Sequence, residues 1–367
     1  MPKKIDRTLL TIVIILVVMG FFIFSSASLG LLSRSGARFS SVALNHGLFG
    51  IVGGSIALFI TSSMHYRFWR KYAFYIFVGA LLLTLLVFIP GLGMSHGGAK
   101  RWILLGGFSF QPAEFLKIAF VIYMATWLSG MHTHVKKFVR GTLPFVGITA
   151  LVGVVMLLQP DTDTYAIMCA AGVAMFITAG GRLRDVCLMV LAGVVLIAAL
   201  AFSRPYIMDR ITTFFDPTID PQGSSYQIHQ SLIAVGSGGA VGRGFGQSIQ
   251  KFEYLPEPIG DSVFAVYAEE FGFIGSVVLI MLFTVLGFRG YRIASHAKDL
   301  FGMLLVVGFI TLILVQAFLN IAAMLALAPL SGLPLPFISH GGTALLATLT
   351  AVGIILSVSR YQRRTAC

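Results

Sequence analysis

The chain has 367 residues, of which 57% are hydrophobic and only 11% charged, and its mean hydropathy is +0.90. Such a composition excludes a soluble globular domain, because most of the chain must have lipid as its solvent. The net charge of +12 does not point to nucleic acid, since the basic residues stand as dispersed triplets beside apolar runs rather than on one basic face.

A bilayer core takes about 20 apolar residues per helix. Runs approaching that length without interior charge fall near 9–24, 43–60, 72–88, 115–128, 143–158, 165–178, 186–202, 273–288, 303–325 and 344–358. The sequence therefore predicts an all-α integral membrane protein of about ten transmembrane helices. It is a single domain over 1–367, with a long extracytoplasmic loop at 203–271 between helices 7 and 8. Lys3, Lys4 and Arg7 precede the first run and no small-residue cleavage site follows it, so it reads as a retained anchor with a cytoplasmic N-terminus. With ten spans the C-terminus is cytoplasmic too, and the inner segments collect seventeen of the 26 Lys and Arg, including Arg67, Arg70 and Lys71 or Arg289, Arg292 and Lys298. Acidic residues gather on the other side, which marks the outer face as the chemical one. Cys169, Cys187 and Cys367 have no metal-ligand spacing and imply no disulfide.

In chain order, the first polar cluster is KRWILLGGFSFQPAEFLK (100–117), which brings Arg101, Gln111, Glu114 and Lys117 to the outer start of the fourth helix. Glu114 and Lys117 are i,i+3 neighbours on one face. A charge in hydrocarbon costs about 2.5–3.5 kcal/mol on insertion scales, so these two either pair with each other or face a substrate. QPDTDT (159–164) follows: Pro160 ends one helix and Asp161 or Thr162 can cap the next. Two carboxylates in three residues exceed capping needs, leaving Gln159 and Asp161 as candidates for substrate hydroxyls or for a basic partner such as Lys117.

The 203–271 segment carries Arg210 and many aromatic residues, among them Tyr206, Phe214, Phe215, Tyr226 and Tyr254, so it reads as an interfacial or re-entrant cap rather than a solvated tether. Within it GSGGAVGRGFGQS (236–248) is either a phosphate nest, with Arg243 nearby, or a tight surface turn. QKFEYLPEPIGDSVFAVYAEEFGFIG (250–275) holds Lys251, Glu253, Glu257 and Asp261, and Pro256 and Pro258 exclude a regular helix through it. A carboxylate such as Asp261 at the rim of a low-dielectric cavity is poised as a general base, the alternative being a helix N-cap. LPLPFISHGGTALL (333–346) then sets Ser339 and His340 before the last helix, where backbone N–H groups favour an anion, or where His340 is a hydrogen-bonded structural group.

Taken together, SSAS (25–28), KRWILLG with QPAEFLK, QPDTDT, SSYQIHQSLIAVGSGGAVGRGFGQS (224–248), QKFEYLPEPIGD, AEEFGFIG and PLPFISHGG resemble the SEDS family (shape, elongation, division and sporulation), in motif closest to its FtsW branch. The resemblance implies a peptidoglycan glycosyltransferase of the bacterial cytoplasmic membrane that polymerises lipid II during cell division or growth. It implies an essential Asp261 on the extracytoplasmic face, with Arg101, Lys117, Glu253 and Asp161 supporting the substrate. Arg210, Arg243 and Lys251 join Arg101 and Lys117 as outer cations for a leaving pyrophosphate, and Mg²⁺ or Mn²⁺ is an open candidate cofactor. The expected partner is a class B penicillin-binding protein, the transpeptidase. The chain departs from the family in Ile259-Gly260, where His-Thr is usual, in Asp163, where Gly is usual, and in His340, where Tyr is common. A lipid-linked precursor flippase and a non-catalytic division scaffold are the competing readings.

Overall fold

The computed structural model of the chain describes residues 5–34, 40, 42–96, 99–105, 108–203, 205–216, 223, 225–252 and 254–362. Among these, nine helices are long and apolar enough to cross a membrane, and a tenth apolar helix of 17 residues joins them. They are α1 (Arg7–Arg34), α2 (Val42–Ser63), α3 (Arg67–Phe88), α4 (Pro112–Gly130), α5 (Phe138–Leu158), α6 (Thr162–Thr178), α7 (Leu183–Ser203), α10 (Val263–Ser295), α11 (Leu300–Met324) and α12 (Gly342–Arg360). Two shorter helices, α8 (Pro205–Phe215) and α9 (Tyr226–Ser237), lie between α7 and α10.

The helices extend past the apolar runs because their ends carry polar residues that hydropathy alone does not count. At one end of the bundle those residues pair: Asp6 with Arg289 at 2.8 Å, Asp299 with Arg67 at 2.8 Å, and Arg360 with the Ser62 carbonyl at 3.0 Å. Asp261 lies at the other end. α11 is the central helix, packed on α4, α6, α10 and α12. α12 lies against α2 so closely that a Cβ on Gly353 would fall 1.9 Å from the Thr61 hydroxyl, the small-residue contact that lipid-bathed helices use. α7 is mostly exposed to lipid, in keeping with an apolar surface all round.

The all-α class holds for the spans, and outside them β1 (Gly93–His96), β2 (Ala99–Leu105) and β3 (Phe108–Phe110) add a small antiparallel sheet in the order β1-β2-β3, with Ile103 opposite both Gly93 and Phe110. The long loop is shorter than read, because the eighth span starts at Val263 rather than 273. Glu269 and Glu270 end the charge-free run there, but the helix carries them buried, and beside them Gly272 breaks its geometry, with φ +66° and ψ −163°.

That break explains the glycine-rich run. The chain from Gly238 to Gly244 threads across it, so that Arg243 N–H and Gly244 N–H donate to the Glu269 and Glu270 carbonyls at 3.0 Å each. In return, Phe273 N–H and Ile274 N–H donate to the Gly239 and Ala240 carbonyls at 2.9 and 3.1 Å. The backbone groups freed by the kink are thereby satisfied inside the protein, as membrane depth demands. A Cβ at Gly242 would lie 2.1 Å from the Glu270 carbonyl oxygen and one at Gly272 2.3 Å from the Gly242 nitrogen, so glycine is needed for the close approach. The run is a tight clasp, the plainer of its two sequence readings. Gly272→Ala is expected to lose at least about 2 kcal/mol through left-handed strain and this collision, read as a lower melting temperature in detergent.

Candidate active site

Asp261 immediately precedes α10, whose N-cap position falls on Ser262, so capping does not account for the aspartate. The bend from Pro256 carries it away from helical geometry, with Glu257 held at φ +43°. On the facing side the strand-like segment before α12 turns at Phe337, φ +67°. Left-handed non-glycine residues therefore occur in both loops that meet here, and such outliers tend to cluster where function constrains the backbone.

Three successive main-chain carbonyls are gripped at this meeting. His340 N–H donates to the Ile259 carbonyl at 2.7 Å, Ser339 Oγ–H to the Gly260 carbonyl at 2.6 Å, and Asn320 Nδ2–H to the Asp261 carbonyl at 2.7 Å. Ser339 Oγ also accepts from Leu335 N–H at 2.7 Å, and Asn320 donates again to the Leu333 carbonyl at 2.8 Å. These contacts use the backbone of Ile259 and Gly260, so the departure from His-Thr does not loosen them. The His340 ring packs against Phe24 and His46, with centroids 6.0 Å from each.

The Asp261 carboxyl is half-buried, and its Oδ1 has no hydrogen-bond partner among the described residues. Burial pushes its pKa from 3.8 up to about 6; the Gln227 amide on α9 opposes that rise and the Glu257 charge reinforces it. A carboxylate in this state is a stronger proton acceptor than an exposed aspartate yet is ionised near neutrality. Gln227 also donates to Ser262 Oγ at 2.9 Å, which fixes its side chain beside the aspartate.

Below this layer, Glu114 and Lys117 of α4 form the anticipated pair at 2.8 Å, both buried. Lys117 Nζ donates further to Gln316 Oε1 at 3.0 Å, and Gln316 Nε2 to the Pro334 carbonyl at 2.7 Å. The ion pair thus leads through α11 to the segment that grips Gly260. Asp161 pairs not with Lys117 but with Arg101, at 3.6 Å, because β2 brings that arginine over the start of α6. Arg101 also donates to the carbonyls of Gln159 and Pro160. Burial raises the Asp161 pKa against the opposing Arg101 charge. Gln159 donates to the Thr84 carbonyl at 2.7 Å and ties α5 to α3. Arg210 of α8 meets Asp163 at 2.7 Å, so the aspartate in the usual glycine position docks the outer helix.

Lys251, expected among the cations for pyrophosphate, lies in the interior instead. Its ammonium is fully buried and gives its three hydrogens to Glu270 Oε1 at 2.8 Å, Ser26 Oγ at 2.9 Å and the Gly246 carbonyl at 2.8 Å. Arg243 keeps solvent exposure while touching Glu269 at 3.4 Å. Glu269 in turn accepts from Ser248 Oγ at 2.5 Å and from the N–H groups of Ile249 and Gln250, so the two glutamates organise the clasp. Glu257 is exposed, and Glu253 lies outside the described residues. Sequence reasoning missed Gln227, Gln316 and Asn320. The signal for the last two was an i,i+4 polar pair inside an otherwise apolar span, a spacing that puts both on one face.

Residues 6–364 match the cell cycle protein family that comprises FtsW, RodA and SpoVE. The chain is 43% identical to stage V sporulation protein E of Bacillus subtilis over 310 residues, which is 84% of this chain and 85% of the relative. It is 37% identical to a probable peptidoglycan glycosyltransferase FtsW of Geobacter sp. strain M18 over 364 residues, 98% of each. Its fold superposes with a TM-score of 0.78 at 28% identity on a chain of a peptidoglycan synthase complex that coordinates polymerization and crosslinking, covering 98% of this chain and 99% of that one. Thermus thermophilus rod shape determining protein RodA gives a TM-score of 0.71 at 25% identity, covering 98% of each chain.

Proposed function

Because the chain belongs to the FtsW/RodA/SpoVE family of cell cycle proteins, we propose that it is a multi-pass peptidoglycan glycosyltransferase that polymerises lipid II at the outer face of the bacterial cytoplasmic membrane. The 4-hydroxyl of the acceptor's terminal N-acetylglucosamine attacks the anomeric carbon of the donor's N-acetylmuramic acid. As that C–O bond forms, the bond from the anomeric carbon to the phosphate oxygen breaks and undecaprenyl pyrophosphate leaves. Asp261 takes the hydroxyl proton, and direct displacement inverts the anomeric centre.

The observation that carries this reading is the Oδ1 of Asp261, unpaired among the described residues, on a backbone gripped at three consecutive carbonyls at the end of the bundle away from the paired basic termini. A base with a raised pKa and a fixed backbone is what proton abstraction at neutral pH calls for. General-base catalysis supplies about 10²–10⁴-fold, so charge stabilisation of the leaving group must supply much of the rest. Arg101, Arg210 and Arg243 hold ion pairs yet keep part of their side chains exposed, which makes them the better candidates for the pyrophosphate, with Lys251 committed to Glu270. Among the described residues no three His, Cys, Asp or Glu side chains converge as metal donors. No step is therefore assigned to Mg²⁺ or Mn²⁺, whose role is a matter for titration in the assay.

A class B penicillin-binding protein is the proposed partner, a reading supported by the likeness to a complex that couples polymerization to crosslinking. The test is a gel assay of the purified chain, with and without that partner, on fluorescent lipid II. Glycan ladders support the assignment. Movement of labelled lipid across proteoliposomes without ladders under either condition would instead favour a flippase.

A further inference from the structure

Asn320 is wholly buried in α11, an apolar helix on which Gln316, one turn back, is the other amide. Burying an amide is costly, and this one offsets the cost on its donor side alone: both hydrogens are used, on the Asp261 carbonyl at 2.7 Å and the Leu333 carbonyl at 2.8 Å, while its Oδ1 has no hydrogen-bond partner among the described residues. The two acceptors belong to the two loops that meet at the site, so one side chain stitches them to each other and to the central helix. Of the three groups gripping the 259–261 carbonyls, Ser339 and His340 come from a loop, and Asn320 alone comes from a membrane helix. It is also the one bonded to the aspartate's own carbonyl. Ile259 and Gly260 offer no side-chain polar atoms to steady the aspartate, which places more of that task on the main-chain contact.

We propose that Asn320 is a positioning residue for the glycosyl transfer, acting through Asp261: it fixes that residue's backbone to α11 and thereby sets where the carboxylate meets the acceptor hydroxyl. The inference rests on the reading of Asp261 as the base. A catalytic group displaced by about 1 Å can lose about 10²-fold in rate, and an interaction that only orients the base acts on turnover rather than on ground-state binding.

The experiment compares Asn320→Leu, close in volume but without donors, with the wild type, with Asp261→Asn, and with Ile310→Ala, a buried cavity control more than two turns away on the same helix. Each is purified in detergent, its melting temperature measured, and its polymerisation of labelled lipid II followed against substrate concentration and pH. Asn320→Leu is expected to lower kcat by about 10- to 100-fold with KM within about threefold, and to move the pH midpoint of the rate by about half a unit or more. Ile310→Ala is expected to lower the melting temperature without moving that midpoint. Asn320→Ser, smaller and less disruptive, repeats the comparison if the leucine variant does not purify as a single species. An Asn320 variant with wild-type kcat, or one whose loss matches Ile310→Ala and whose pH midpoint is unmoved, overturns the proposal while an inactive Asp261→Asn leaves the base assignment standing. Wild-type activity in Asp261→Asn would overturn the base assignment itself.

Discussion

Asp261→Asn is expected to polymerise lipid II about 10²–10⁴-fold more slowly than the wild type while purifying and melting like it. The substitution is nearly isosteric and leaves the main-chain grip on residues 259–261 untouched, since those bonds are made to carbonyls. It removes the group able to take a proton. Fold and function should therefore separate: the melting temperature holds or rises, because a half-buried carboxylate that burial disfavours has been replaced by a neutral amide. Quantifying ladder formation against time under saturating substrate reads the rate loss directly.

Lys117→Met is expected to remove most of the folded protein. Breaking a buried ion pair from one side costs about 3–5 kcal/mol because the remaining charge is stranded, and here Glu114 would be left beneath the site. Glu114→Gln combined with Lys117→Met is expected to recover most of that stability, with a residual cost for the Gln316 Oε1 that Lys117 no longer reaches. The recovered double variant then decides between the two roles left open by the i,i+3 spacing. If the pair only braces α4 against α11, polymerisation returns with folding; if Lys117 also contacts substrate, the protein folds and stays inactive. Melting curves beside ladder assays on the single and double variants make the distinction.

Much of this arrangement is written in the chain. The ten spans follow from runs of apolar residues that only lipid tolerates, and the Glu114–Lys117 pair follows from two charges one turn apart in such a run. Pro256 and Pro258 kept Asp261 off a helix, and its stronger signal came from resemblance rather than from spacing. Other features depend on distances that sequence does not encode. Lys117 is the basic partner that the sequence suggests for Asp161, and only the β1-β2-β3 geometry brings Arg101 there instead. Lys251 reads as an outer cation until the clasp around Gly272 draws it against Glu270. Asn320 was missed because an amide pair such as Gln316 and Asn320 in a membrane helix has many uses, and its role depends on carbonyls 59 and 13 residues away.

The Glu257 carboxylate and Gln227 amide near Asp261 influence its protonation in opposite senses, and burial outweighs both, leaving its pKa about 6. The working sign is that the base must be ionised, so activity is lost as pH falls through that value and is complete above it. The stability sign is opposite. A carboxyl whose pKa is raised on folding favours the folded state at low pH, and that contribution is lost as pH rises through about 6. The enzyme thus becomes active over the interval in which its aspartate becomes costly to hold.

The most direct measurement is the initial rate of lipid II polymerisation by the wild type between about pH 5 and pH 8, with Asp261→Asn beside it. A rate that climbs about tenfold per pH unit below a midpoint near 6 and levels above it, over a flat and far lower line for Asp261→Asn, is the expected result. A wild-type profile with no such limb, or an Asp261→Asn protein that follows the same curve at comparable rate, would contradict the assignment of Asp261 as the base.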